Sequence, residues 1–121
     1  LVFDAVILNE DRHFGNFGFL IDNKSNKIVG CAPIFDNGLS LLCYAMDDDC
    51  KNINRYIQTR LPATYQDFIA FVKPRMTKRQ KEKLRKLIGF KFESHYKYRL
   101  PRKRLKYLEE IIQKRVLELL E

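Results

Sequence analysis

The apolar run Leu1 to Leu8 ends at Asn9, which is how the last turns of a helix stop. Asn9 to Asn16 is polar and contains Gly15, and so predicts a loop. Two short apolar runs, Phe17 to Asp22 and Lys27 to Pro33, then flank the turn-rich tetrapeptide Asn23-Lys24-Ser25-Asn26, the pattern of a β-hairpin. A second loop, Ile34-Phe35-Asp36-Asn37-Gly38, follows the hairpin, and its Asn-Gly pair favours a tight turn.

Beyond residue 50 the hydrophobic period shifts from two to about 3.6, the helical value. Thr64-x-x-Asp67 precedes Phe68, Ile69, Phe71 and Val72, which predicts one short helix. Thr77-x-x-Gln80 precedes Leu84, Leu87 and Ile88, with Gly89 next, which predicts a second helix with a capping box at its start and a glycine past its end. Pro101 opens a long third helix, whose Leu105, Leu108, Ile112, Val116 and Leu119 recur at intervals of 3, 4, 4 and 3 and form one buried stripe. There is no internal repeat and no low-complexity linker. The expected fold is mainly α (α+β): a single helical domain over 1–121 with one short β-hairpin.

Length and composition agree with one small domain, since 121 residues with 45% hydrophobic content and few Gly or Pro exclude a disordered or fibrous chain. No apolar run approaches the roughly 18 residues that span a bilayer, so no membrane contact is expected. Leu1 to Leu8 has neither a basic flank nor a cleavage site, does not read as a signal peptide, and starts in mid-pattern, as a piece of a longer chain would. Cys31, Cys43 and Cys50, spaced 12 and 7 apart, fit neither a metal knuckle nor a disulfide framework, and read as reduced thiols in a cytoplasmic protein. Cys31, lacking a histidine partner, reads as a small buried hydrophobe. Charge divides the chain: residues 1–50 hold 3 basic and 8 acidic residues, whereas 51–121 hold 20 basic and 7 acidic, within a total of +8.

The acidic half carries the candidate chemistry. Asp11 and Asn16 stand in an Asp-x-x-x-x-Asn loop, and Asp36-Asn37-Gly38 follows the hairpin. Phosphoryl transfer from ATP needs a carboxylate beside the attacking hydroxyl and oxygen ligands that hold Mg²⁺ against the phosphates. A hairpin returns the chain to the edge it left, so Asp11, Asn16 and Asp36 are expected to converge although up to 25 positions separate them.

The stretch Asn9-Glu10-Asp11-Arg12-His13-Phe14-Gly15-Asn16-Phe17-Gly18, with Ala32-Pro33-Ile34-Phe35-Asp36-Asn37-Gly38, resembles the catalytic and metal-binding segments of HipA-like serine/threonine kinases. Its first part is also similar to the Asp-Arg-His-x-x-Asn loop of phosphoinositide kinases. The resemblance covers residues 4–42 and implies that the chain is the C-terminal, catalytic lobe of such a kinase, using ATP and Mg²⁺ to phosphorylate Ser or Thr of a protein. It implies further that Asp11 is the catalytic base, that Asn16 and Asp36 bind Mg²⁺ and the ATP phosphates, that Arg12 and His13 brace the loop or neutralise nearby charge, and that Gly38 lets the backbone turn after Asp36. Asn37 stands where protein kinases carry the Phe of Asp-Phe-Gly. Family members are associated with antitoxin-type DNA-binding partners in toxin-antitoxin systems.

No phosphate-covering Gly-x-Gly-x-x-Gly and no strand lysine of the Val-Ala-Ile-Lys type occur, and Gly15 and Gly18 belong to the catalytic loop region. The isolated chain is therefore expected to bind ATP weakly and to transfer phosphate poorly or not at all, the nucleotide-binding lobe coming from upstream residues. His13 and His95 alone do not make a zinc site, and Asp47-Asp48-Asp49 reads as a solvated polar loop. An alternative function rests on residues 73–106, where 15 Lys or Arg interleave with Phe90, Phe92, Tyr96 and Tyr98. Such a stretch suits a non-catalytic basic module that contacts nucleic acid or an acidic protein.

Overall fold

The computed structural model describes residues 1–121 as a small α+β fold of six α-helices and a two-stranded antiparallel hairpin. Helix α1 spans Val2–Ile7 and is closed by Leu8 in the left-handed region at φ 55°, where the amides of Leu8 and Asn9 both donate to the Asp4 carbonyl. Strand β1 is Phe19–Ile21 and strand β2 is Ile28–Cys31, pairing Phe19 with Cys31 and Leu20 with Gly30 before a bulge. The regular strands are shorter than the apolar runs that predicted them. Asp22 fixes the turn by accepting from the Ser25 amide at 2.7 Å and the Ser25 hydroxyl at 2.6 Å.

The hairpin stands away from the core, and every residue of β1 is exposed. Cys31 is exposed with it, contrary to the expectation that it is a buried hydrophobe, because β2 has no layer packed upon it. All three cysteines are free thiols.

Helices α2 (Asp47–Cys50) and α3 (Ile53–Thr59) occupy a stretch for which no helix was predicted. Asp47, Asp48 and Asp49 are not a loop but the first turn of α2, where carboxylates meet the unpaired amides and positive end of the helix, and Asp49 accepts from the Met46 amide at 2.9 Å. Helix α3 begins at Asn52, whose side chain caps the Arg55 amide, and buries Ile53, Tyr56 and Ile57.

Helix α4 (Phe68–Val72) is capped by Asp67, which accepts from the Ala70 amide at 2.7 Å, so Thr64 is not its cap. A 3₁₀ turn over Lys73–Arg75 leads into α5 (Lys78–Arg85), where the capping box of Thr77 and Gln80 forms as its spacing implied. Gly89 lies at φ +80°, the left-handed conformation that favours glycine, and ends the turns that follow α5.

Helix α6 (Arg102–Leu120) is the spine against which α1, α3, α4 and α5 pack. It buries Ile111, Ile112, Val116 and Leu119 against Ala5, Val6, Phe68, Val72 and Leu84, while the first two residues of its predicted stripe, Leu105 and Leu108, are half-buried. Each fully buried aliphatic side chain contributes about 1.5–3 kcal/mol relative to leaving it in water. No helix is long and apolar enough to cross a membrane.

Candidate functional site

Arg12 organises the region that the sequence singled out. Arg12 is 5% exposed. Nε and Nη2 donate to Asp4 Oδ1 at 3.0 and 2.9 Å. Nη1 donates to the Asn16 carbonyl at 2.6 Å and to the Phe35 carbonyl at 2.7 Å, and Nη2 also donates to Asn37 Oδ1. One planar cation thus ties helix α1, the loop before the hairpin and the loop after it into one unit, a task suited to the fixed fork of arginine donors.

Asp4 is the counter-charge. Burial pushes its carboxyl up and the hydrogen bonds from Arg12 and Asn9 pull it down, which leaves it below its ordinary value of 3.8. Asn9, itself buried, donates to Asp4 at 3.0 Å and accepts from the Asp11 amide at 3.2 Å, which fixes where the next loop starts. Glu10 anchors the same loop to the helical half: it receives Arg60 Nη1 at 3.0 Å, and its carbonyl receives the Ala63 amide at 2.9 Å.

Within this frame Asn16 is buried and turns its amide nitrogen toward Asp11, reaching the carbonyl at 2.8 Å and Oδ2 at 3.4 Å. Its Oδ1 receives no hydrogen bond from the protein and is free to act as an oxygen ligand. The Asp11 carboxylate is part-exposed, with His13 Nε2 3.8 Å from Oδ1. His13 Nδ1 accepts from the Gly15 amide at 3.0 Å and closes the 3₁₀ turn Phe14–Asn16. A Cβ at position 15 would lie 2.8 Å from His13 Cε1, so a side chain there would displace the imidazole from the Gly15 amide.

Asp36 lies between Phe35 and Asn37, both held by Arg12, and so belongs to the same cluster of loops as Asn16. It is exposed, free of hydrogen bonds, and at φ 52° occupies the left-handed region, which aspartate enters more readily than most residues with a Cβ. The sharp turn assigned to Gly38 therefore falls on Asp36 itself. The Asn-Gly tight turn does not form, and the Asn37 side chain instead receives Arg12.

No group of three or more His, Cys, Asp or Glu side chains is placed to hold a metal by itself. A Mg²⁺ ion makes a different demand, since it takes one or two protein oxygens and completes its shell with phosphate and water. The free carboxylate of Asp36 and the free Oδ1 of Asn16 are hard oxygen donors of that kind. Beside the cluster lies an apolar groove of about 830 Å³ between α1, α5 and α6, which includes Asn37 in its wall.

Asp4, Asn9, Asn37 and the Glu10–Arg60 pair are the participants that motif reasoning missed. A signal for Asp4 existed, for it is the only charged residue in the apolar run 1–8. The chain matches no family model, no curated protein and no solved structure.

Proposed function

We propose that this chain is the C-terminal catalytic lobe of a HipA-like, Mg²⁺- and ATP-dependent kinase that phosphorylates Ser or Thr of a protein in the cytoplasm. The observation that carries the reading is the Arg12 clamp, which holds Asn16 and the residues on either side of Asp36 on one guanidinium while both oxygen donors stay free. Phosphoryl transfer is mostly positioning and electrostatics, so a prebuilt loop pair of this kind is what the reaction asks of a protein.

In this reading Asp11 accepts the proton of the acceptor hydroxyl and aims its oxygen for in-line attack. Asn16 Oδ1 and the Asp36 carboxylate hold Mg²⁺, and Asn16 also steadies Asp11 through its amide. When bound with ATP, the metal neutralises charge on the transferring phosphoryl group. Arg12 and His13 position the loop and touch no reacting atom. A protein acceptor and an antitoxin-type DNA-binding partner enter through the family resemblance.

The test is phosphate incorporation from Mg·ATP by the longest polypeptide that contains this sequence, beside Asp11→Asn and Asp36→Asn. General-base and electrostatic contributions to such reactions are on the order of 10²- to 10⁴-fold, and each variant is expected to lose that much while remaining folded. Incorporation that persists in both folded variants removes the assignment.

A further inference from the structure

We infer that residues 95–106 form a binding surface for single-stranded nucleic acid, separate from the Arg12 cluster. The segment between α5 and α6 has a fixed base. The Gly89 amide donates to Gln113 Oε1 and Gln113 Nε2 to the Leu87 carbonyl, both at 2.8 Å, while Glu109 receives the Phe92 amide at 3.0 Å and Lys91 Nζ at 2.8 Å. Past that anchor the chain leaves the core, and residues 93–103 are exposed.

Three rings gather on the exposed part. His95 Nδ1 accepts from the amides of Lys97 and Tyr98 at 3.1 and 2.9 Å, which fixes the imidazole. That ring stacks on Tyr96 and Tyr98 with centroids 4.8 and 5.3 Å away and an interplanar angle of 25° in both pairs. The two tyrosines remain 83% and 71% exposed, so the stacking orders the rings without burying them. An ordered, open set of π-faces is what successive nucleobases stack upon.

Two of the cations beside them lie over rings, Lys97 over Tyr98 and Lys103 over Tyr107, and none is spent on an acid. Lys97, Arg99, Arg102, Lys103 and Lys106 are exposed, and none has a carboxylate within salt-bridge distance, whereas Lys91 nearer the core pairs with Glu109 at 2.8 Å. Glu93 is the only acid between residues 91 and 106. A depression of about 460 Å³ between this loop and α6 has Ser94, Arg102 and Lys106 in its wall as phosphate donors, together with Glu109, whose carboxylate is already taken by Lys91 and the Phe92 amide. An acidic peptide would use the charges and leave the rings idle, and a duplex hides its base faces in the stack. A single strand uses both.

The test is fluorescence anisotropy of the 121-residue chain with a short labelled oligouridylate, its DNA counterpart and a duplex of equal length. The single strands are expected to bind more tightly than the duplex, and affinity should fall steeply between roughly 50 and 200 mM salt. Replacing both rings in Tyr96→Ala/Tyr98→Ala should weaken single-strand binding by about tenfold or more, the lower range for lost base stacking, while Tyr96→Phe/Tyr98→Phe should retain it. Circular dichroism confirms that the variants are folded. Absence of single-strand binding at low salt, an unchanged affinity in the alanine variant, or equal binding of the duplex would overturn the proposal. Competition by polyglutamate as effective as unlabelled oligouridylate would also overturn it, in favour of an acidic protein partner.

Discussion

Arg12 and Arg99 carry the same guanidinium, but the first is enclosed by four partners from three segments and the second is held out to solvent with none. Local sequence does not set them apart, since each stands in a polar stretch beside a histidine or tyrosine. The difference is what lies within reach. Arg12 is eight positions from a buried carboxylate on α1 and faces two loops that present carbonyls, so its charge is used to build structure. Lys97, Arg99, Arg102 and Lys103 form no salt bridge and leave the charge available to a partner.

The sharpest way to break this comparison is to remove the guanidinium of Arg12. Arg12→Ala strands the buried Asp4 charge and releases both loops, and is expected to cost about 3–5 kcal/mol of stability by urea denaturation. A loss below 1 kcal/mol would mean that Arg12 is not the clamp described here.

Acid should act at the same point. The Asp4 carboxyl is held below its ordinary value of 3.8 in the folded chain, so its contribution is complete above that pH and disappears as pH falls through the depressed folded-state value. Asp22, held down by the Ser25 hydroxyl, and Glu109, held down by Lys91, act in the same direction. The stability gap between wild type and Asp4→Asn should therefore be constant from pH 7 to 5 and close below about pH 4. A gap independent of pH down to the acid transition would assign the loss to shape rather than charge.

The smallest effect belongs to the other member of the pair. Lys97→Gln together with Arg99→Gln removes two exposed charges that no carboxylate answers, and should change stability by no more than about 0.5 kcal/mol per site. A larger loss in thermal unfolding would show that this loop, too, is built on its cations.

Much of the secondary structure is written locally. Helices α1, α5 and α6 declare themselves because caps and spacing act within a few residues: Thr77 meets Gln80, and Ile112, Val116 and Leu119 fall on one face whatever lies elsewhere. Helices α2 and α3 were missed because their apolar positions, Cys50, Ile53 and the pair Tyr56 and Ile57, are separated by polar residues, and Met46 is not a capping residue type. Cys31 was misplaced for a related reason, since alternation identifies a strand but not whether anything packs on it.

By itself, then, the sequence determined the helical class, the hairpin, the two loops with Asp11, Asn16 and Asp36, and the separation of acidic from basic halves, because these follow from periodicity, capping and composition. Folding in three dimensions set the rest: Arg12 gathers those loops, the left-handed turn falls on Asp36 and not on Gly38, and His95 aligns two exposed tyrosines. Each of these depends on distances between groups that turn and strand geometry bring together, and such distances are set when the chain closes on its core.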